Sequence, residues 1–174
     1  MTYTYNNARL RSGVTLQQPS SSWTNGYTWD AARRLSTETS QAGTFTYTYS
    51  AGVGTATSAA ALIRKLLLPN SSYVTNTFDN VARLSGTYLD NSSNTVLDKS
   101  EYLYAGNQRI RQTRTDGSYY TNNYDKIGQL VWADSTVASE DRGYLYDAAW
   151  NLNQRTNNGT VTTLILDSKN ALPV

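Results

Sequence analysis

Cysteine and histidine are both missing from this chain. Without cysteine there is no disulfide framework and no thiol chemistry. Without histidine the chain lacks the commonest general base and the commonest transition-metal ligand. A metal would have to be held by oxygen ligands alone, and no run resembles an EF-hand loop; no cofactor or metal is expected. Charge is scarce as well: 15 Lys and Arg against 13 Asp and Glu leave a net +2, and the two signs are interspersed. That is too weak a bias to point to nucleic acid. No stretch approaches the roughly 18 uninterrupted apolar residues of a membrane span, and the nearest, Ala59 to Leu68, is broken by Arg64 and Lys65. The chain opens with no charged region followed by an apolar one, so no secretion signal is visible. Export would depend on an address elsewhere in a longer parent chain or on a dedicated secretion machine.

What the chain has instead is tyrosine. Hydrophobic residues make up 39%, and 14 Tyr supply much of that, against about 45–50% apolar residues in ordinary globular chains. Tyr offers a flat packing surface and a hydroxyl that must find water or a partner. Abundant Ser, Thr and Asn with little Lys suit β-structure better than helix.

The tyrosines are not scattered. A phrase built of an aromatic or aromatic pair, often an Asp, a short polar turn and a closing Leu or Ile is written seven times. Aligned on its second aromatic it falls at Tyr5, Trp29, Tyr49, Phe78, Tyr104, Tyr124 and Tyr146, at gaps of 24, 20, 29, 26, 20 and 22 residues. Such recurrence means one supersecondary unit repeated. A degenerate eighth copy is expected over 164–172, with Asp167 in place but no aromatic.

The stretch from Gln112 to Leu130 is the cleanest unit. Asp116-Gly117 is the strongest short hairpin signal, of the kind a type I′ turn uses. Ser118 to Tyr124 then returns as the partner strand. Asp125 opens a second turn whose backbone N–H groups its carboxylate can cap, and Gly128 can supply a left-handed conformation. Comparable tips are expected at Asn25-Gly26, Ala42-Gly43, Pro69-Asn70-Ser71 and Asn158-Gly159, and longer ones at Asn91 to Asn94 and Ser139 to Gly143. The aromatic pairs Tyr3/Tyr5, Tyr27/Trp29, Tyr47/Tyr49, Tyr102/Tyr104 and Tyr144/Tyr146 are spaced i, i+2, so both rings share a strand face. Leu10, Leu35, Leu84, Ile110, Leu130 and Leu152 would form an apolar row beside them. Thr55 to Leu68 reads either as an Ala-rich helix or, by preference, as a loop over 51–61 followed by a strand from Leu62 to Leu68. The whole chain, 1–174, is read as a single all-β array of tandem hairpins stacked into a curved or spiralling antiparallel sheet, a partial shell.

These residues resemble the YD-repeat or Rhs-repeat family, whose pattern is roughly Y-x-Y-D-x-x-G-R-L at intervals of about 20 residues. Trp29-Asp30, Phe78-Asp79, Tyr124-Asp125 and Tyr146-Asp147 carry the aromatic-Asp core, and Arg9, Arg34, Arg83 and Arg109 stand near the closing residue. Asn6 and Ala105 replace Asp, and Gln129 and Asn151 replace Arg. The resemblance implies a strip of hairpins spiralling into a hollow shell. In bacterial Rhs and toxin-complex proteins that shell holds a toxic C-terminal domain, and in teneurins it is a cell-surface barrel. The chain is too short to close such a shell and has no Asp-Pro-x-Gly motif, so it looks like a piece of wall or a short orphan relative. The resemblance also implies an exported, extracellular or cell-surface bacterial setting. Expected partners are neighbouring repeats of a longer parent chain, further copies of itself, or a C-terminal toxin cargo.

Asp30, Asp79, Asp125 and Asp147 are the carboxylates an acid–base mechanism would use. Their recurrence at one turn position favours structure, since catalysis needs one site rather than one per repeat, and the chain is read as a non-enzyme. The rival reading is carbohydrate or cell-wall binding, in which Tyr27, Trp29, Tyr102 and Tyr144 serve as flat platforms for sugar rings.

Overall fold

The structure, a computed structural model, describes residues 1–17, 19, 21–49 and 61–164. It is all-β. The strands are β1 (Thr2–Tyr5), β2 (Arg11–Gln17), β3 (Ser22–Trp29), β4 (Leu35–Ser40), β5 (Gly43–Tyr49), β6 (Ile63–Leu67), β7 (Tyr73–Phe78) and β8 (Leu84–Asp90). They continue as β9 (Val96–Ala105), β10 (Gln108–Arg114), β11 (Tyr119–Tyr124), β12 (Leu130–Ser135), β13 (Arg142–Tyr146), β14 (Leu152–Asn157) and β15 (Thr160–Thr163). A 3-10 turn, Ala138–Glu140, lies between β12 and β13. Contacts divide the chain into two compact units, Met1–Lys99 and Ser100–Val174. In each, strands pair antiparallel with their neighbours in sequence, the arrangement that short polar turns impose.

Burial is shallow. Among the described residues Val14, at 7% exposure, is the one buried hydrophobic side chain, and none is fully buried. Each unit is therefore held laterally, by ladders and cross-strand pairs, rather than by a core between two layers. The two faces of the first unit differ in chemistry. Tyr27 and Trp29 on β3 and Phe45, Tyr47 and Tyr49 on β5 share the half-buried face. The opposite face is almost pure hydroxyl. There Thr15 meets Thr24 at 2.8 Å, Thr28 meets Thr37 at 2.7 Å and Thr39 meets Thr44 at 3.2 Å.

A register shift recurs just before the phrase's second aromatic. It lies between Thr4 and Tyr5, Thr28 and Trp29, Thr48 and Tyr49, Thr77 and Phe78, Asn123 and Tyr124, and Leu145 and Tyr146. The extra residue sits on the following strand, as in a β-bulge. It turns the residue opposite the aromatic onto the aromatic's own face.

Two expectations about the apolar row change. The row opposite the aromatics is Arg11, Leu35, Ile63, Leu84, Arg109, Leu130 and Leu152. Leu10 falls one position short of it because the first copy is one residue shorter, and Ile110 is the bulged residue itself. Arg109 and Arg111 also part company. Arg109 pairs with Tyr104 while Arg111 pairs with Leu103, so the bulge sends them to opposite faces, where simple alternation places them together.

Three turn expectations also change. Asn25-Gly26 lies inside β3, where Gly26 faces Gly13 on one side and Thr39 on the other; the reversal comes instead between Gln17 and Ser22, which pair. Alternating Trp23, Tyr27 and Trp29 demand a continuous strand there, and that outweighs the local Asn-Gly preference. Gly143, expected in a tip, is the second residue of β13, with Trp132 lying across it. The tips at Pro69-Asn70-Ser71, Asn91 to Asn94 and Asn158-Gly159 are turns; the one expected at Ala42-Gly43 lies one residue earlier, at Gln41-Ala42, with Gly43 opening β5 opposite Ser40. Ile63–Leu67 is the strand preferred over a helix. The loop expected over 51–61, apart from Ala61, and the eighth copy beyond Leu164 lie outside the described residues.

Candidate functional site: the repeat turn and its latch

Six turns are built alike from one side-chain oxygen. The Oδ1 of Asp30 accepts the N–H groups of Ala32 and Arg34, both at 2.9 Å. Asp79 holds Val81 and Arg83 at 3.0 and 2.9 Å. Asp125 holds Ile127 and Gln129 at 3.0 and 2.9 Å, and Asp147 holds Ala149 and Asn151 at 2.8 and 2.9 Å. Asn6 does the same for Ala8 and Leu10, and Asn91 for Ser93 and Thr95. Only one oxygen is needed, which is why Asn substitutes freely for Asp. The Asn91 turn carries no aromatic phrase, so the sequence marks it as a tip but not as a copy of the repeat turn.

In each of the six, the fourth residue takes a left-handed conformation and donates back to the first. Arg33 (φ 61) donates to the Asp30 carbonyl at 2.9 Å, and Gly128 (φ 91) to that of Asp125 at 3.1 Å. Arg9, Ala82, Asn94 and Trp150 hold φ between 60 and 66 at the same place, although only glycine occupies it without steric cost. Asp116-Gly117 belongs to this geometry too. Gly117 alone has positive φ (83) and donates to the Arg114 carbonyl, so the tip is a type I turn closed by a left-handed glycine rather than type I′. Asn158-Gly159, with φ 47 and 76, is where the type I′ signature holds.

The second carboxylate oxygen is used differently. Asp30 Oδ2 takes the Arg34 Nε at 2.7 Å, Asp79 Oδ2 takes the Arg83 Nε at 2.6 Å, and Asp147 Oδ2 takes the Asn151 amide at 3.1 Å. The carboxyls respond. Asp30 lies below its ordinary 3.8 because the Arg34 N–H and guanidinium stabilise the charge. Burial pushes Asp79 up, but the bonds from Arg83 and Val81 outweigh it and leave a net lowering. The Asn151 N–H and amide lower Asp147. Groups ionised at neutral pH and already committed to three donors are poor proton shuttles.

A second device joins one repeat to the next. The Trp29 indole N–H donates to the Arg11 carbonyl at 2.8 Å, and the Tyr49 hydroxyl to the Leu35 carbonyl at 2.9 Å. Likewise Tyr124 donates to Arg109 at 2.7 Å and Tyr146 to Leu130 at 2.9 Å. Every acceptor is the residue paired with the aromatic of the preceding repeat. Phe78 has no donor, and there Asn76 supplies one to the corresponding Ile63 carbonyl at 3.0 Å. Asn76 was not singled out from the sequence, and its signal is its position two residues before an aromatic that lacks a hydroxyl.

Guanidinium groups cover several ring faces. Arg34 lies 4.3 Å from the Tyr49 ring centre, and Arg109 lies 3.9 Å from that of Tyr102 and 5.8 Å from that of Tyr104. Of the proposed sugar platforms, Tyr102 thus has a face occupied and Trp29 has its N–H committed. Tyr27 and Trp29 line one groove and Tyr144 another. Outside the repeat pattern, Arg114 stacks on Tyr120 at 4.6 Å and pairs with Glu140 at 2.7 Å, while the Tyr120 hydroxyl also donates to Glu140. These bonds tether the 3-10 turn. Among the described residues there is no cluster of three or more potential metal-ligating side chains, and no helix is long and apolar enough to cross a membrane.

The chain matches no known protein family by sequence, and no curated protein matches it. Solved structures do resemble it. The Tc holotoxin pore of Photorhabdus luminescens superposes with a TM-score of 0.54 at 19% identity, over 83% of this chain and 10% of that one. The TcdB2–TccC3 protein without its hypervariable C-terminal region gives 0.59 at 16% identity, over 95% and 12%. The intact TcdB2–TccC3 gives 0.56 at 16%, over 94% and 12%. The chain thus spans about a tenth of the length of the proteins it resembles. The likeness is one of fold, and it supports an Rhs-like hairpin array.

Proposed function

We propose that the chain is a non-enzymatic wall segment of an Rhs-type protein, part of a β-shell that encloses or presents a toxin or effector domain. The observation carrying this reading is the aromatic-to-carbonyl latch, by which Trp29, Tyr49, Tyr124 and Tyr146 each tie their repeat to the one before it. Such a latch lets hairpins be added to the array one after another. Shallow burial on both faces suits a wall whose further contacts come from other repeats. The likeness to toxin-complex structures supports the same role. In this reading the protein works outside a bacterial cell or on its surface, beside further repeats of a parent chain or further copies of itself.

Limited proteolysis of the protein in its natural reading frame tests the proposal. A domain encoded next to the repeats should resist digestion while the array is folded and become labile when it is melted. Equal susceptibility in both conditions would count against enclosure.

A further inference from the structure

Asn6 replaces the turn carboxylate in the first repeat, and the groove beside that turn is left with uncompensated positive charge. The groove, about 380 Å³, runs between the first turn and the aromatic pair of β3. Tyr5, Tyr27 and Trp29 form its walls, Leu10 and Leu35 its apolar floor, and Arg9 and Arg11 its cations. No acidic side chain lines it. The corresponding groove of the second unit, about 390 Å³, is lined by both Asp125 and Asp147. In the Asp30 and Asp79 turns the carboxylate pairs with the Arg four residues on, at 2.7 and 2.6 Å; the first turn has Leu10 at that place and carries its cations on either side of it, at Arg9 and Arg11. Neither Arg9 nor Arg11 has such a partner among the described residues; Arg11 lies 5.0 Å from the Tyr3 ring centre. Arg11 stands opposite the aromatic, where four of the repeats place Leu.

We infer that this groove binds a carboxylated sugar, a uronic acid unit of an acidic polysaccharide. The ligand brings the carboxylate that the turn lacks, and Arg9 and Arg11 receive it as charge-assisted hydrogen-bond donors. The ring faces select the rest of the ligand. The Trp29 N–H is already given to the Arg11 carbonyl, so its indole offers a face rather than a donor, and Tyr5 is 60% exposed. A flat ring with a hydrocarbon face and a charged edge complements such walls. The volume falls within the range of small-ligand sites.

Calorimetric titration of the protein with tri-galacturonate, a neutral galactose trimer and a glutamate hexamer tests the assignment. Tri-galacturonate should bind, weaken as salt is raised, and lose at least tenfold in affinity in Arg9→Gln/Arg11→Gln. Asn6→Asp should also weaken it severalfold, because it sets a like charge beside the ligand's carboxylate while keeping the Oδ1 bonds and hence the melting temperature. No binding by tri-galacturonate would overturn the inference. So would equal binding of the neutral trimer, or of the glutamate hexamer, which would mean that ring or charge alone is read. Full affinity in Asn6→Asp would overturn it too. These outcomes leave protection of a neighbouring domain untouched, so the groove and the wall fail separately.

Discussion

The Tyr146 hydroxyl donates to the Leu130 carbonyl at 2.9 Å, and Leu130 is itself the residue opposite Tyr124 in the preceding repeat. Burial pushes the Tyr146 hydroxyl above its ordinary 10.0, so it remains a donor throughout the neutral range. Such bonds, repeated at Trp29, Tyr49 and Tyr124, do part of the work of the interior that a one-layer sheet lacks.

Tyr49→Phe, Tyr124→Phe and Tyr146→Phe should each cost about 0.5–1.5 kcal/mol, the net value of a hydrogen bond in folding. For a chain of this size that is a fall of roughly 2–4 °C in Tm per kcal/mol. Asn76→Ala should behave like them, since Asn76 does for Phe78 what the hydroxyl does elsewhere. Thermal melts followed by circular dichroism read the effect. A silent Tyr146→Phe would remove the latch from the account.

Acid stability should depend on Asp30, Asp79 and Asp147. Their folded pKa values are lowered from 3.8, so the folded state binds fewer protons than the unfolded chain at mildly acid pH. Their contribution is complete above the unfolded value and disappears as pH falls through the folded ones. Tm should therefore hold down to about pH 4 and drop below it. The triple Asp→Asn variant should keep the fold at pH 7, because Asn6 and Asn91 already build the same turn with an amide. It should also lose much of the acid-side slope. An unchanged Tm–pH profile would contradict the assignment.

Ala82→Gly should stabilise. Ala82 sits at φ 65, where a Cβ costs roughly 1–2 kcal/mol, against the 0.4–1 kcal/mol or so by which glycine loosens the unfolded chain. A net gain of about 0.5–1 kcal/mol follows, measurable by urea denaturation. A lower midpoint would mean that the methyl group does more than strain the turn.

The all-β class was legible because Tyr3/Tyr5, Tyr102/Tyr104 and Tyr144/Tyr146 alternate at period two and Asp or Asn recurs at the turns. The bulge was not. It adds one residue without any composition of its own: Ser12, Ser36, Ser85, Val131 and Asn153 fill it indifferently. Face assignments carried past it by simple alternation therefore invert, as the pairing of Arg109 with Tyr104 and of Arg111 with Leu103 illustrates. Asn25-Gly26 misled for a related reason, since a local turn preference of a fraction of a kcal/mol yields to cross-strand pairing along Trp23, Tyr27 and Trp29. The carboxylates could be recognised as turn residues from their recurrence. That one oxygen suffices, and that the second reaches Arg34 or Arg83, needed coordinates.

Electron cryomicroscopy of the protein in its natural reading frame tests the wall role most directly. The account predicts that residues 1–164 appear within the wall of a closed β-shell, continuous with further hairpins and latched to them through aromatic-to-carbonyl bonds. A segment standing free of any enclosure, with no hairpins continuing the sheet, would contradict it.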